Sequence, residues 1–233
     1  NTRISKTNDN GSGCSADGNL LIDASIYDAM LARLVAENGY LLTAADRERL
    51  RAVYWDAEGR RTSNTIARAA TVIAELAGID VPAGTKFLMT EETEVGRSHP
   101  FSTEKLGPVL AVFRYHGFDN ALDMVRRILE TGGKGHSCGI YSFNDEHIDQ
   151  LARMAPVSRI MVRQVQSAGN AGSFTNGMPM TSSMGCGVWG GNITNENISL
   201  KHYMNVTWVS RPIAEDRPSE PELFGEFFGS EVF

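Results

Sequence analysis

Between residues 107 and 165 the hydrophobic period of the chain changes four times. "GPVLAVFRY" is a nearly unbroken apolar run, "GFDNALDMVRRILETGG" places its apolar residues at helical spacing and ends in glycines, and "SCGIYSF" reads as a strand. "NDEHIDQLARMA" then opens on a capping residue, Asn144, and "SRIMVRQV" is a strand again. Strands separated by single helices of this length are joined by crossovers, so they run parallel and are buried on both faces. This alternation sets the expectation: an α/β fold built on a mostly parallel sheet with crossover helices.

The rest of the chain is read around that frame. "NLLI" from Asn19 to Ile22 predicts a short strand, followed by a helix with Ile26, Met30, Leu34 and Val35 on its apolar face. Thr43 is the expected N-cap of "TAADRERLRAVYWD", "TSNTIARAATVIAELAGI" predicts a helix stopped by Gly78, and "KFLMT" predicts a strand. Residues 166–192 form a Gly, Ser and Asn-rich passage without period, of a length that usually marks function or disorder. "ISLKHYMN" predicts a short helix and "VTWVSRPI" a strand. An acidic tail from 213 to 233 ends in the apolar tip "ELFGEFF".

Composition removes several function classes. A net charge of -6 with mixed signs gives no basic stripe, so neither nucleic acid nor an anionic membrane is an expected partner. The sequence has no apolar run of eighteen residues and no signal-peptide pattern. Three cysteines at wide spacing, Cys14, Cys138 and Cys186, give neither a disulfide framework nor a thiolate zinc site, and a reducing cytoplasm is the expected setting. His99, His116, His147 and His202 lack metal-ligand spacing, so no metal is expected.

Three segments carry chemistry. In "NDNGSGCSADGN", residues 8–19, Cys14 sits in what reads as a flexible, open loop between glycines. A thiolate there is reachable, and backbone N–H groups can hold both it and an oxyanion. The other two are "HPFSTEKLGPVLAVFRY", containing Glu104, and "GGKGHSCGIYS", containing His136. Each has a plainer reading. Cys14 can be an inert thiol, Glu104 a solvated partner of Lys105, and His136 a histidine bonded to the last carbonyls of the preceding helix. Likewise "GCGVWGG" reads either as a phosphate cradle or as a tight backbone passage.

Taken in order, "DNGSGCSADGNLLID", "FSTEKLGPVLAVFRY", "GGKGHSCGIYS" and "GCGVWGGNITNENISLKHYMN" resemble the catalytic domain of the aldehyde dehydrogenase superfamily, in its CoA-acylating branch. The resemblance implies an aldehyde dehydrogenase-like catalytic domain over residues 1–212, with a C-terminal oligomerisation strand near 205–212 and hence a homo-oligomer. It implies that Cys14 is the catalytic thiol that attacks a small aldehyde, and that hydride then passes to NAD or NADP to leave a thioester. It also implies that Glu104 holds the nicotinamide ribose, and that His136 is an acid/base acting on the thiol of coenzyme A. The chain begins with Asn1, and the expectation is a segment whose cofactor-binding domain lies upstream.

Within that branch "NITNENISLKHYMNVTWVSRPI" is more similar to the sulfoacetaldehyde enzymes than to the acetaldehyde ones, so the resemblance favours sulfoacetaldehyde as substrate. No sulfonate ligand is assigned: Arg163, Asn170 and Asn176 offer donors suited to sulfonate oxygens, and Arg163 reads equally as one side of a structural ion pair. The alternatives are a hydrolytic aldehyde dehydrogenase of the same fold, a non-catalytic assembly module, and a cysteine hydrolase using Cys14 and His136 as a dyad.

Overall fold

The computed structural model describes residues 1–228 of the 233. Residues 1–199 form one compact unit and residues from 200 onward a second. The last five residues of the acidic tail lie outside the described residues.

The first unit contains six strands, and every pairing between them is parallel. They are β1 (Asn19–Asp23), β2 (Gly39–Leu41), β3 (Phe87–Glu91), β4 (Val109–Tyr115), β5 (Gly135–Ile140) and β6 (Val157–Val162). They do not form one sheet. β1–β4–β3–β2 make a four-stranded sheet, and β5 pairs only with β6. Helix α5 (Phe118–Thr131) therefore carries the chain from one sheet to the other, while α6 (Asp145–Met154) is the crossover inside the smaller one.

Side-chain alternation explains the layers. Leu88, Val109, Ala111 and Phe113 face helices α3 (Ala44–Tyr54) and α4 (Ala70–Leu76) through Leu50, Tyr54, Ile73 and Ala74. Phe87, Met89, Leu110 and Val112 face Leu34 of α2 (Tyr27–Ala36) on the other side. A strand buried on both faces has no polar position to spare, which is why β4 reads as a continuous apolar run. The smaller sheet packs Ile140 and Val157 against Leu129 of α5 and Leu151 of α6.

The caps fall where the sequence puts them. Asn144 accepts from the Glu146 N–H at 3.0 Å, and Thr43 closes a capping box with Asp46. The expected helix over 62–78 is shorter. Ala67 adopts φ 57°, its N–H donates to the Leu106 carbonyl, and the helix starts only at Ala70.

The loop at 8–19 is structured over its first residues, while Gly13 and Cys14 are exposed. It follows a helix, α1 (Thr2–Thr7), and a 3-10 turn, Asn8–Gly11. Asp9, Asn10 and Gly11 all take positive φ, and a Cβ on Gly11 would lie 2.8 Å from the carbonyl oxygens of both Lys6 and Gly107. Part of the Gly-rich passage is also ordered, as a short helix α7 (Gln166–Asn170).

In the second unit the expected strand near 205–212 is not formed, and Val206, Trp208 and Val209 are exposed. A strand exists only when a neighbouring edge takes its N–H and C=O groups, and these residues have no such edge among the described residues. The expected helix at "ISLKHYMN" is a 3-10 turn, Leu200–Tyr203, and the tail carries a helix, α8 (Glu220–Phe228). No described helix is long and apolar enough to cross a membrane.

Replacing Thr43 by Ala removes one orphan-donor partner at the start of α3, and it should lower stability by about 1 kcal/mol in urea denaturation.

Candidate active site

Cys14 precedes β1 and His136 is the second residue of β5, so the ends of the two sheets bring them together. His136 Nε2 lies 3.1 Å from Cys14 Sγ. The cysteine is exposed, and the loop that carries it is tied down on both sides. Ser5 of α1 accepts from the Ser167 N–H at 3.0 Å and the Asp17 N–H at 3.4 Å, and Ser15 donates to the Ser167 carbonyl at 3.3 Å. Helices α1 and α7 thus clamp the thiol loop.

Glu104 is held beside this pair by Arg61 and by the turn that Lys105 anchors. Arg61 Nη1 donates to the Glu104 carbonyl at 2.7 Å and approaches its carboxylate at 3.4 Å. Lys105, fully buried, donates to the carbonyls of Phe101 and Thr103 and to Asn19 Oδ1, which fixes the "FSTEK" turn against the start of β1. Burial pushes the Lys105 amine well below its ordinary range, with the charge of Lys6 acting the same way. Lys6 is buried below the same loop, and burial brings it down to about 8, opposed by Asp17 and Glu104. Neither lysine was singled out by the sequence reading. Lys105 lay in plain view, next to Glu104, as the partner of a surface pair.

Burial raises the Cys14 thiol above its usual value, and the Glu104 carboxylate and Cys186 add to this, while the N–H groups of Cys14 and Ser15 pull it down. His136 is lowered by burial first and by the Arg159 guanidinium second, against an upward pull from Glu104. The resting pair is therefore a neutral thiol facing a neutral imidazole. Arg159 is itself buried and donates to Asn197 Oδ1, the Gly185 carbonyl and the Asn195 carbonyl. All three acceptors are neutral oxygens.

The Gly-rich turn is a backbone passage. The N–H groups of Gly185, Cys186, Gly187, Gly190, Gly191 and Asn192 are all spent within 185–196. A Cβ on Gly135, at φ +87°, would stand 2.1 Å from the Cys186 carbonyl oxygen, so β5 touches this turn backbone to backbone.

Of the polar donors near the substrate loop, Asn170 donates to the Gln166 carbonyl and Asn176 to Gln164 Oε1 and the Gly169 carbonyl. Arg163 donates to the Ser142 carbonyl and stacks over Phe143. The two asparagines hold the loop together. Cys138 is partly buried in the smaller sheet's core, where burial pushes its thiol up to about 12.

Cys14, His136 and Glu104 line one groove of about 1510 Å³, together with Arg61, Arg97 and Thr103. A nucleophile, a base, N–H donors at the sulfur and an exposed carboxylate can add a thiolate to a carbonyl carbon and bind a hydroxylated ligand beside it. Glu104→Gln removes a negative charge that raises the Cys14 thiol, so iodoacetamide should alkylate Cys14 faster than in wild type at the same pH. An unchanged or slower rate would show that Glu104 does not act on the sulfur.

No protein-family model matches the chain. Among curated proteins it is 43% identical to a sulfoacetaldehyde dehydrogenase of an Acholeplasma species, over 96% of this chain and 47% of that protein. It is 40% identical to an acylating sulfoacetaldehyde dehydrogenase of Cupriavidus necator, over 96% of this chain and 46% of that protein. Among solved structures it superposes on an acetylating aldehyde dehydrogenase from Geobacillus thermoglucosidasius with a TM-score of 0.85 and 33% identity, covering 92% of this chain and 48% of the other. The chain spans about half the length of the curated relatives it matches. Over that half, in sequence and in fold, the chain is similar to acylating aldehyde dehydrogenases.

Proposed function

We propose that the protein oxidises a small aldehyde to an acyl-CoA, with hydride transfer to NAD or NADP, and that this chain supplies the thiol-bearing half of the active site. The observation that carries the reading is the 3.1 Å contact between Cys14 Sγ and His136 Nε2, in a groove shared with Glu104. His136 Nε2 takes the thiol proton and the sulfur attacks the aldehyde carbon, giving an oxyanion that the Cys14 and Ser15 N–H groups are placed to receive. Loss of hydride from that carbon leaves a thioester on Cys14. Once the imidazolium has released that proton to water, the same imidazole takes the proton of the coenzyme A thiol, whose sulfur displaces the Cys14 sulfur, and the proton then returns to Cys14.

The residues present suit a dinucleotide. Glu104 offers an exposed carboxylate to ribose hydroxyls next to the thiol, and Arg61 limits its swing. A nicotinamide bound there supplies the hydride acceptor. Most of its binding surface belongs, on this reading, to the half of the relatives' length that the chain does not span.

Sulfoacetaldehyde is the favoured substrate because the relatives at 43% and 40% identity are named for it. The reading also carries a cytoplasmic setting, where an exposed thiol stays reduced. It further carries a homo-oligomer, in which the apolar segment 205–212 pairs with an edge of a neighbouring subunit.

In the protein that joins this chain to its cofactor-binding half, reduction of NAD or NADP by sulfoacetaldehyde should require coenzyme A and disappear in Cys14→Ala. Turnover without coenzyme A would establish a hydrolytic enzyme of the same fold instead. Turnover in Cys14→Ala would remove the loop from the mechanism.

A further inference from the structure

Behind His136 lies a second shell of contacts that the reaction above does not use. His136 Nδ1 is 2.8 Å from Ser137 Oγ, and Gln166 Nε2 lies 3.3 Å from that same oxygen. Gln166 is buried on α7, and its carbonyl oxygen Oε1 has no hydrogen-bond partner. That oxygen lies beside Gly139: the point where a Cβ of Gly139 would stand is 2.9 Å from Gln166 Oε1 and 3.5 Å from the Met161 carbonyl oxygen. The unpartnered oxygen and the Met161 carbonyl oxygen thus both border the space beside Gly139, while the amide nitrogen faces a hydroxyl.

An amide's oxygen and nitrogen are nearly the same size, and a half-turn of the Gln166 side-chain amide exchanges them. The exchange takes the unpartnered oxygen to Ser137, and it leaves the nitrogen in the space flanked by the Met161 carbonyl. Ser137 has one proton to give. When Gln166 Oε1 accepts it, the serine oxygen can only accept from His136, so the imidazole proton must sit on Nδ1.

We propose that Ser137 and Gln166 are positioning residues that hold His136 as its Nδ1–H tautomer and so leave Nε2 a proton acceptor at the Cys14 sulfur. The relay then runs in one direction: Cys14 S–H to His136 Nε2, His136 Nδ1–H to Ser137 Oγ, and Ser137 O–H to Gln166 Oε1. When the proton moves, the S–H electron pair stays on sulfur and the imidazole becomes an imidazolium with both nitrogens protonated. Ser137 and Gln166 keep their own protons and their bonds. The charged groups facing this relay are Glu104 from the "FSTEK" turn and Arg159 from β6, which is in register with Ser137. Cys186 faces Cys14. The proposal rests on the assignment of Cys14 and His136 in the proposed function.

Its test uses the 233-residue chain itself and needs no turnover. Long-range proton–nitrogen spectra of the neutral imidazole should show His136 as the Nδ1–H tautomer in wild type and in Ser137→Thr and Gln166→Glu, which keep the hydroxyl and the acceptor. Ser137→Ala should mix the tautomers and slow iodoacetamide alkylation of Cys14 by up to about tenfold across its pH profile, the weight of one ordinary hydrogen bond. An Nε2–H tautomer in the wild-type chain overturns the proposal whatever the variants do, and so does a Ser137→Ala chain with wild-type tautomer and alkylation profile. Failure of coenzyme A-dependent oxidation would count against the reaction and leave this tautomer measurement standing.

Discussion

The contact between Cys14 Sγ and His136 Nε2 joins residues 122 positions apart, and most of the first unit serves to make it. The thiol loop ends where β1 begins, and the imidazole sits at the start of β5, in a different sheet. No single ladder of hydrogen bonds sets their separation. It is set by loop packing: α1 and α7 grip the segment around Ser15, and the turn at 185–192 presses on β5. A 3.1 Å contact between two sheets survives only if those loops are as fixed as the strands, which explains why so many of their N–H groups are spent internally.

The electrostatics of the pair follow from its burial. Desolvation penalises the charged form of each partner, so it raises the thiol and lowers the imidazole. Glu104 opposes the thiolate but favours the imidazolium, and Arg159 disfavours the imidazolium. The balance keeps the proton on sulfur at rest. In the proposed reaction a thiolate forms when a carbonyl is present to take its electron pair, and the N–H groups of Cys14 and Ser15 hold the charge as it moves to oxygen. Glu104, which the proposed function assigns to the cofactor ribose, thus also holds the Cys14 thiol protonated through its negative charge.

The fold was legible wherever burial imposed a period. β4, α5, α6 and β6 are long enough for their apolar spacing to speak, and Asn144 and Thr43 mark their helices by a local bond. Cys14, Glu104 and His136 were legible through their segments, and the structure brings all three into one groove. What stayed hidden depends on partners distant in the chain. Nothing local tells β4 not to pair with β5, and nothing in "QSAGN" announces a helix whose Gln166 reaches Ser137. The apolar alternation of 206–213 reads as a strand in composition, yet a strand forms only where another edge takes its N–H and C=O groups, and no such edge lies beside it among the described residues.

The glycines show how tightly the site is specified. Gly11 meets the carbonyls of Lys6 and Gly107, and Gly135 meets that of Cys186, in each case with a positive φ. A side chain in the way can rotate; a carbonyl held in its own hydrogen bonds cannot. By contrast Gly13, next to the thiol, has open space where a Cβ would stand. Backbone contacts therefore fix the loop from below, at Gly11, while the space beside Gly13 stays clear next to the Cys14 thiol. The two glycines that flank Ser12 look equivalent in the sequence, but packing demands only Gly11.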